Sequence, residues 1–445
     1  MDADRPWSQR RLHFVGVGGA GMSGYALVSV QLGARVSGSD QSEGPALERL
    51  RALGVDVAVG HAATNVPPGD DVELVFSTAV PPDNPEREEA RRRGLPERPR
   101  SALLAELTAG RPTIAVAGAH GKTTTASMVA HVLRGSGMEP GFLIGGEVPG
   151  LGANADWGDG AGWLVVEADE SDRSMLSLSV DIAVLTNVEL DHHATFGSLA
   201  ELEEAFRAFL AGASRAVVWS APEVLALAAP GTDTVAFEVD DLTLEPGGSR
   251  FAWEGHPVHV RVPGRHNALN AVAALEAARL AGADPATAAA ALTTFAGAER
   301  RFQRLGATGT GADVYDDYAH HPTEVAATIE AARGLGARRL VAVFQPHLFS
   351  RTAALAPQFG RALAAADAVV VLDVYPARES AADFPGVTGR LVASAAADAA
   401  RGRPVYWLPR FADAEPVLHG LLVAGDVCVV MGAGDIDQLG RRLVA

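Results

Sequence analysis

Short apolar runs alternate along this chain with longer stretches in which apolar residues recur at helical spacing. That alternation predicts α/β architecture with mostly parallel strands, because a parallel neighbour is reached only through a crossover, usually helical. Three blocks separate. In the first, RLHFVGV, ARVSGSD and VELVFSTAV predict strands and PALERLRALG a helix between two of them. It closes on the charged, proline-containing EREEARRRGLPERPR and a helix-like SALLAELTAG. The second starts at Arg111-Pro112 with the strand TIAVAG and runs through WLVVEAD, IAVLTNV and RAVVWS. The β-like alternation of FAWEGHPVHVRV and a helix over HNALNAVAALEAARLAG follow. The third begins near Arg300, with strands over ADVYDDY, RRLVAVFQP, AVVVLDVY and DVCVVMGAG.

The length of 445 residues agrees with this division, since about 150 residues make a typical domain. A composition that is 48% hydrophobic and 20% charged is ample for well-buried cores. The net charge of −17 argues against a nucleic-acid or anionic-membrane surface, either of which needs a basic face. A polyanionic ligand must then be met locally, by helix N-termini, single cations or metal. The lone Cys428 sits in an apolar run and reads as a buried core thiol, not a nucleophile. MDADRPWSQRR has no apolar leader core, and no run approaches membrane-spanning length, so a cytoplasmic protein without membrane insertion is expected.

Two glycine-rich turns follow predicted strands. Gly16, Gly18 and Gly21 of VGVGGAGMSG fit the dinucleotide fingerprint, and Asp40 closes the next strand where a ribose-binding acid would stand. Taken alone, this predicts NAD. The second turn, AGAHGKTTT, carries Gly118, Gly121 and Lys122 ahead of three threonines opening a helix. Such a turn aims backbone N–H groups at phosphates, with Lys122 reaching the outer ones and the Thr123 hydroxyl placed for Mg²⁺. The generic phosphate-loop pattern fails at Val116, and the tighter G-x-x-G-K-T-T stands in its place. An ATP site here shifts the balance at the first turn toward a second phosphorylated ligand rather than NAD.

Beyond Lys122, WLVVEADESD ends in Glu167, Asp169, Glu170 and Asp172, and IAVLTNVELDHH ends in Glu189, Asp191, His192 and His193. Ligands of open α/β sheets gather outside the carboxyl ends of strands. These two ends and Gly118–Thr123 are therefore expected to face one crevice. Carboxylate, threonine hydroxyl and phosphate oxygens suit Mg²⁺, with Mn²⁺ tolerated where histidine joins.

With these residues in view, the chain resembles the Mur ligases along nearly its whole length. AGAHGKTTT and PGRHNALN mark that family broadly, while EADESD, DDYAHHPTEV and FQPHLFSRT mark its alanine-adding branch. The resemblance implies three α/β domains. They are a Rossmann-like UDP-sugar-binding domain over 1–108, a central P-loop ATPase-like domain over 109–298 and a C-terminal Rossmann-like domain over 299–445. The first turn would then hold a UDP-sugar, with Gly16, Gly18, Gly19, Ala20 and Gly21 cradling its pyrophosphate. Ser39, Asp40, His61, Ser77 and Asn84 would make further contacts. Gly118, Ala119, His120, Gly121, Lys122, Thr123 and Thr124 would hold the ATP phosphates, with Thr123, Glu167 and His192 on the metal. His266 and Asn267 resemble the adenine pair, and Asp317 the ribose contact. Arg301 of RRFQ corresponds to the family's bridge between domains, and His320, His347 and Arg351 to positions near the incoming alanine and the γ-phosphate.

The resemblance further implies ligation of L-alanine to the lactyl carboxylate of UDP-N-acetylmuramate, with ATP and Mg²⁺, by a monomer or homodimer in peptidoglycan precursor synthesis. The rival readings are a peptide-recycling Mur-type ligase and an NAD(P)-dependent oxidoreductase. Two departures stand out: Ala119 replaces the usual threonine of the ATP loop, and Ala194 an aspartate after the metal histidine. The segment ELEEAFRAFLAGAS has no lysine, so the carbamylated lysine of most Mur ligases is absent, as this branch leads one to expect.

Overall fold

The computed structural model describes residues 6–77, 79–191 and 195–445, and the side chain of Ala20 is not described. The first sheet contains β1 (Arg11–Val15), β2 (Arg35–Asp40), β3 (Asp56–Val59), β4 (Val72–Phe76) and β5 (Glu97–Pro99), all parallel, in the order β3-β2-β1-β4-β5. Helices α1 (Ala20–Gln31), α2 (Pro45–Ala52), α3 (Pro85–Arg93) and α4 (Arg100–Ala109) belong to the same block. The charged stretch after residue 84 is helix α3. Asn84 caps it by accepting from the N–H groups of Glu86 and Arg87, Pro85 starts it, and Gly94 ends it at φ 70°.

The second sheet contains β6 (Thr113–Ala117), β7 (Gly141–Val148), β8 (Ala153–Asp156), β9 (Leu164–Glu167), β10 (Ile182–Leu185), β11 (Arg215–Trp219) and β12 (Asp233–Phe237). Its order is β12-β11-β10-β6-β9-β7-β8, parallel except for the β7–β8 pair. All five residues of β6 are buried, as a central parallel strand covered on both faces requires. Helix α5 (Lys122–Gly135) follows β6 directly.

A small antiparallel sheet, β13 (Thr243–Glu245), β14 (Gly248–Trp253) and β15 (His256–Val260), contains the alternating stretch seen in the sequence. Glu254 and Gly255 close its hairpin with φ of 49° and 77°, the backbone that a tight two-residue hairpin turn demands. The last sheet contains β16 (Gln303–Ala307), β17 (Asp313–Asp317), β18 (Arg339–Phe344), β19 (Ala368–Val371), β20 (Val405–Trp407) and β21 (Asp426–Met431), in the order β16-β17-β21-β18-β19-β20. Only its edge pair β16–β17 is antiparallel. Cys428 lies at the centre of β21 with no exposure, and burial pushes its thiol up to about 12, which makes it inert core.

The chain forms two compact units, residues 1–238 with 270–292, and residues 239–269 with 293–445. No helix among the described residues is long and apolar enough to cross a membrane.

Candidate active site

In the first unit, β10, β6 and β9 are adjacent and parallel, so their carboxyl ends lie side by side. The turn after β6 is clamped by the end of β10. Thr186 Oγ1 and Asn187 Nδ2 donate to the His120 carbonyl at 2.6 and 2.9 Å, and Asn187 Oδ1 accepts from the His120 N–H at 2.9 Å. Gly118 has φ 130°, and a Cβ there would stand 2.1 Å from Thr186 Oγ1. Only glycine fits. Gly121 precedes α5 at φ 83° with no side-chain cap, so the first N–H groups of that helix point out of the turn. The His120 ring meets Glu189 at 2.9 Å.

Lys122, the only lysine in the sequence, folds back over this turn. Its Nζ donates to the Gly118 carbonyl at 2.7 Å and to Glu170 Oε1 at 2.9 Å. Burial opposes its charge, but Glu170 and Asp169 outweigh it and hold the ammonium above the usual lysine range. Asp169 is half-buried, and although desolvation opposes its charge, Lys122 and Arg100 keep its carboxyl down at about 2. Thr123 Oγ1 lies 3.2 Å from Glu167 Oε2, and Glu167 Oε1 accepts the Gly145 N–H at 2.6 Å. Two hard oxygen donors thus stand beside a phosphate-directed turn. Thr124 is buried just behind them. His192, His193 and Ala194 lie outside the described residues.

The turn after β1 has the same plan. Gly16 has φ 78°, and α1 starts after Gly19 with no side-chain cap. The Gly18 N–H donates to Asp40 Oδ2 at 2.8 Å, and a Cβ on Gly18 would stand 2.6 Å from Leu47 Cδ1. A Cβ on Gly21 would lie 3.3 Å from Arg100 Nη1. Asn84 is buried as the cap of α3. Ser39 is fully buried, with its hydroxyl on Glu86 at 2.7 Å and beside His61 at 2.9 Å. Ser77 is half-buried, accepting from the Ala79 N–H at 3.3 Å.

In the second unit, the predicted residues gather past the carboxyl ends of β17 and β18. Asp317 ends β17 and accepts N–H groups from Phe302 at 2.9 Å and Ala319 at 2.8 Å, while burial foremost pushes its carboxyl up to about 6. Arg301 places its guanidinium 5.1 Å from the Tyr318 ring centroid and 3.9 Å from Glu324. His320 Nδ1 lies 3.0 Å from the Tyr318 carbonyl, to which it can only donate, and its ring is 6.0 Å from that of His347. His347 stacks on Tyr375 and meets Arg351 Nη1 at 3.2 Å. His266 is half-buried, and desolvation pushes it down to about 4, hence neutral at physiological pH; Asn267 bonds the Pro263 carbonyl at 2.7 Å. Glu324, whose charge reaches both His266 and Asp317, ties these groups to one locality.

Sequence reasoning missed Glu86, Arg100, Thr186, Asn187, Tyr318, Glu324 and Tyr375. All but Arg100 and Glu86 lie within or beside the quoted motifs, where adjacency to a strand end was the available signal.

Residues 11–112 match the Mur ligase family catalytic domain, 116–278 the Mur ligase middle domain and 300–434 the Mur ligase glutamate ligase domain. The chain belongs to the Mur ligase family. More narrowly, it is 44% identical to the UDP-N-acetylmuramate–L-alanine ligase of Thermobifida fusca, across 98% of this chain and 96% of that protein. Its fold is similar to that of the UDP-N-acetylmuramate-alanine ligase MurC from Thermotoga maritima, with TM-score 0.83, 29% identity and coverage of 97% and 98%. It is also similar to a murein peptide ligase from Psychrobacter arcticus, with TM-score 0.72, 25% identity and 98% of both chains covered.

Proposed function

We propose that this chain joins the lactyl carboxylate of UDP-N-acetylmuramate to the amine of L-alanine, splitting ATP to ADP and phosphate. The observation that carries this reading is full-length likeness, at 44% identity, to a ligase named for that reaction. The domain division 1–108, 109–298 and 299–445 goes with it, supported by three distinct large sheets.

A carboxylate is a poor electrophile because its leaving group would be oxide. When a lactyl carboxylate oxygen attacks the γ-phosphorus, ADP leaves and an acyl phosphate forms. The alanine amine then attacks the acyl carbon, phosphate leaves, and the amine gives up a proton for which His320 and His347 are the candidate acceptors. The protein's part is positioning and charge neutralisation between approaching anions. Lys122 serves the γ-phosphoryl oxygens; Arg301 and Arg351 serve the substrate carboxylate and the phosphate. His266 and Asn267 take the adenine, Asp317 the ribose. Thr123 and Glu167, with His192, match the hard-donor preference of Mg²⁺ and tolerate Mn²⁺. A cation held there neutralises phosphate charge.

Phosphate release measured over a matrix of UDP-sugars and amine acceptors tests the reading, with L-alanine expected to outrun every peptide. Peptide preference would favour the recycling type of ligase. With ¹⁸O in the lactyl carboxylate, one labelled oxygen is expected in released phosphate; unlabelled phosphate would exclude the acyl phosphate.

A further inference from the structure

The first sheet holds a buried carboxylate that the ligation chemistry does not use. Glu86 lies in the first turn of α3 within the charged run PEREEARRR, yet it is fully buried. Its Oε2 accepts from Ser39 Oγ at 2.7 Å and faces His13 Nε2 at 3.1 Å. Its Oε1 accepts from Asn65 Nδ2 at 2.8 Å and from the Ala62 N–H at 3.2 Å, and faces His61 Nδ1 at 3.4 Å. Burial alone would raise this carboxyl; the bonds from His13, Ser39 and Asn65 outweigh it and hold it at about 2. Glu86 is therefore ionised and can only accept.

The direction of every proton next to it follows. Ser39 has one hydroxyl proton, and it goes to Glu86. Ser39 Oγ also lies 2.9 Å from His61 Nδ1. With its proton committed, that oxygen can only accept, so Nδ1 carries the ring proton. A neutral imidazole protonated at Nδ1 presents a bare lone pair at Nε2. This assignment comes from the donor and acceptor count, as hydrogen positions generally must. His61 follows β3 at the carboxyl edge of the sheet, next to Gly60, whose N–H donates to the Asp40 carbonyl at 2.7 Å. Its Nε2 makes no hydrogen bond among the described residues, and the side chain is 15% exposed.

We propose that Glu86 is a positioning residue which, through Ser39, fixes His61 as a hydrogen-bond acceptor at Nε2, and that this acceptor selects uracil by taking its N3–H. The inference rests on the reading of the first block as a UDP-sugar site. Uracil offers a single donor on its pairing edge, N3–H, between two carbonyl oxygens. Cytosine places a bare nitrogen lone pair at the same point, opposite the lone pair of Nε2. The relay cannot reverse to relieve that clash, because the Glu86 carboxylate has no proton to return. Sites whose polar group is left facing the wrong partner discriminate strongly.

Glu86→Gln tests this with little change in size. The fixed Ala62 N–H draws the amide oxygen to the Oε1 side, which turns the NH₂ toward Ser39. Ser39 then accepts, its proton turns to His61 Nδ1, and the ring proton moves to Nε2. In the full chain labelled with ¹⁵N-histidine, wild-type His61, assigned by its loss in His61→Gln, is expected to be protonated at Nδ1, and Glu86→Gln at Nε2. In competition between UDP- and CDP-N-acetylmuramate, the wild type is expected to favour the uridine form by about 10²-fold. Glu86→Gln is expected to lose at least about tenfold of that ratio, with kcat for the saturating uridine substrate nearly unchanged.

Wild-type protonation at Nε2 would overturn the proposal, and that measurement needs no variant to fold. A folded Glu86→Gln protein with an unchanged uridine-to-cytidine ratio would also overturn it. Absence of UDP-N-acetylmuramate binding to the wild type in calorimetry would instead overturn the UDP-sugar reading, and base selection with it, whatever the tautomer.

Discussion

The turn after β1 and the turn after β6 both carry a parallel strand into a helix with no side-chain cap, through glycines at positive φ. They differ in what backs them. In the first, the Gly18 N–H is held by Asp40, and the cation beside Gly21, Arg100, comes from α4 and is paired with Asp169. In the second, Lys122 folds back onto the Gly118 carbonyl and pairs with Glu170. N–H dipoles and a guanidinium tied to its own carboxylate suit a pyrophosphate whose charge stays constant through the reaction. A γ-phosphoryl group changes partners, and its redistributing charge calls for a cation that can follow it. The two turns share their geometry and divide by whether the phosphate they meet reacts.

Replacing Lys122 by alanine is the sharpest way to separate them. Phosphate release should fall by at least about 10²–10³-fold, while calorimetric binding of UDP-N-acetylmuramate stays nearly intact. Loss of sugar-nucleotide binding in that variant would show that the two turns do not act independently. Gly18→Ala makes the converse break, since its Cβ would stand 2.6 Å from Leu47 Cδ1 and 2.9 Å from Asp40 Oδ2. The KM for the UDP-sugar should rise about tenfold, worth about 1.4 kcal/mol, with the KM for ATP unmoved. A shift in the ATP constant would contradict the division.

A smaller effect is expected from Glu167→Gln, which removes a charged oxygen donor beside Thr123. The Mg²⁺ concentration for half-maximal activity should rise several-fold, and likewise for His192→Ala; wild-type Mg²⁺ dependence in both would remove them as ligands. The smallest effect is on acid stability. Each turn is backed by a carboxylate held at about 2: the buried Glu86 for the first and the half-buried Asp169 for the second, against ordinary values of 4.5 and 3.8. A lowered folded value means that the stabilisation is present above the unfolded value and lost as pH falls toward 2. Thermal melts should therefore decline between about pH 4 and pH 2, and Asp169→Asn should flatten part of that decline.

Much of this was legible in residue order. TIAVAG, WLVVEAD and IAVLTNV are apolar on both faces because they are central strands, and that same feature predicted their carboxyl ends as neighbours. The consecutive antiparallel strands β7 and β8 were not legible, since GFLIGGEV and ANAD carry glycines and polar residues that break the strand pattern. Glu86 was hidden for a different reason. Within EREEARRRG it looks like any solvated helix charge, and only the approach of Ser39, His61 and Asn65 from other segments buries it. Arg100 escaped notice similarly, ending a basic run but reaching Asp169 at 2.8 Å. Periodicity reports which face of an element is covered, and says little about a single polar side chain turned inward.

The solitary lysine has a consequence for covalent chemistry. Every other cationic side chain here is an arginine, whose guanidinium resists acylation near neutral pH. Amine-directed reagents therefore meet one side-chain target, and it sits in the ATP-directed turn with only 16% of its side chain exposed. An acyl increment mapped to Lys122, as distinct from one on the chain's terminal amine, would show that the reagent had reached this turn, and its suppression by nucleotide that the turn was occupied. Most proteins need an engineered label for such a reading; this one has it in its composition.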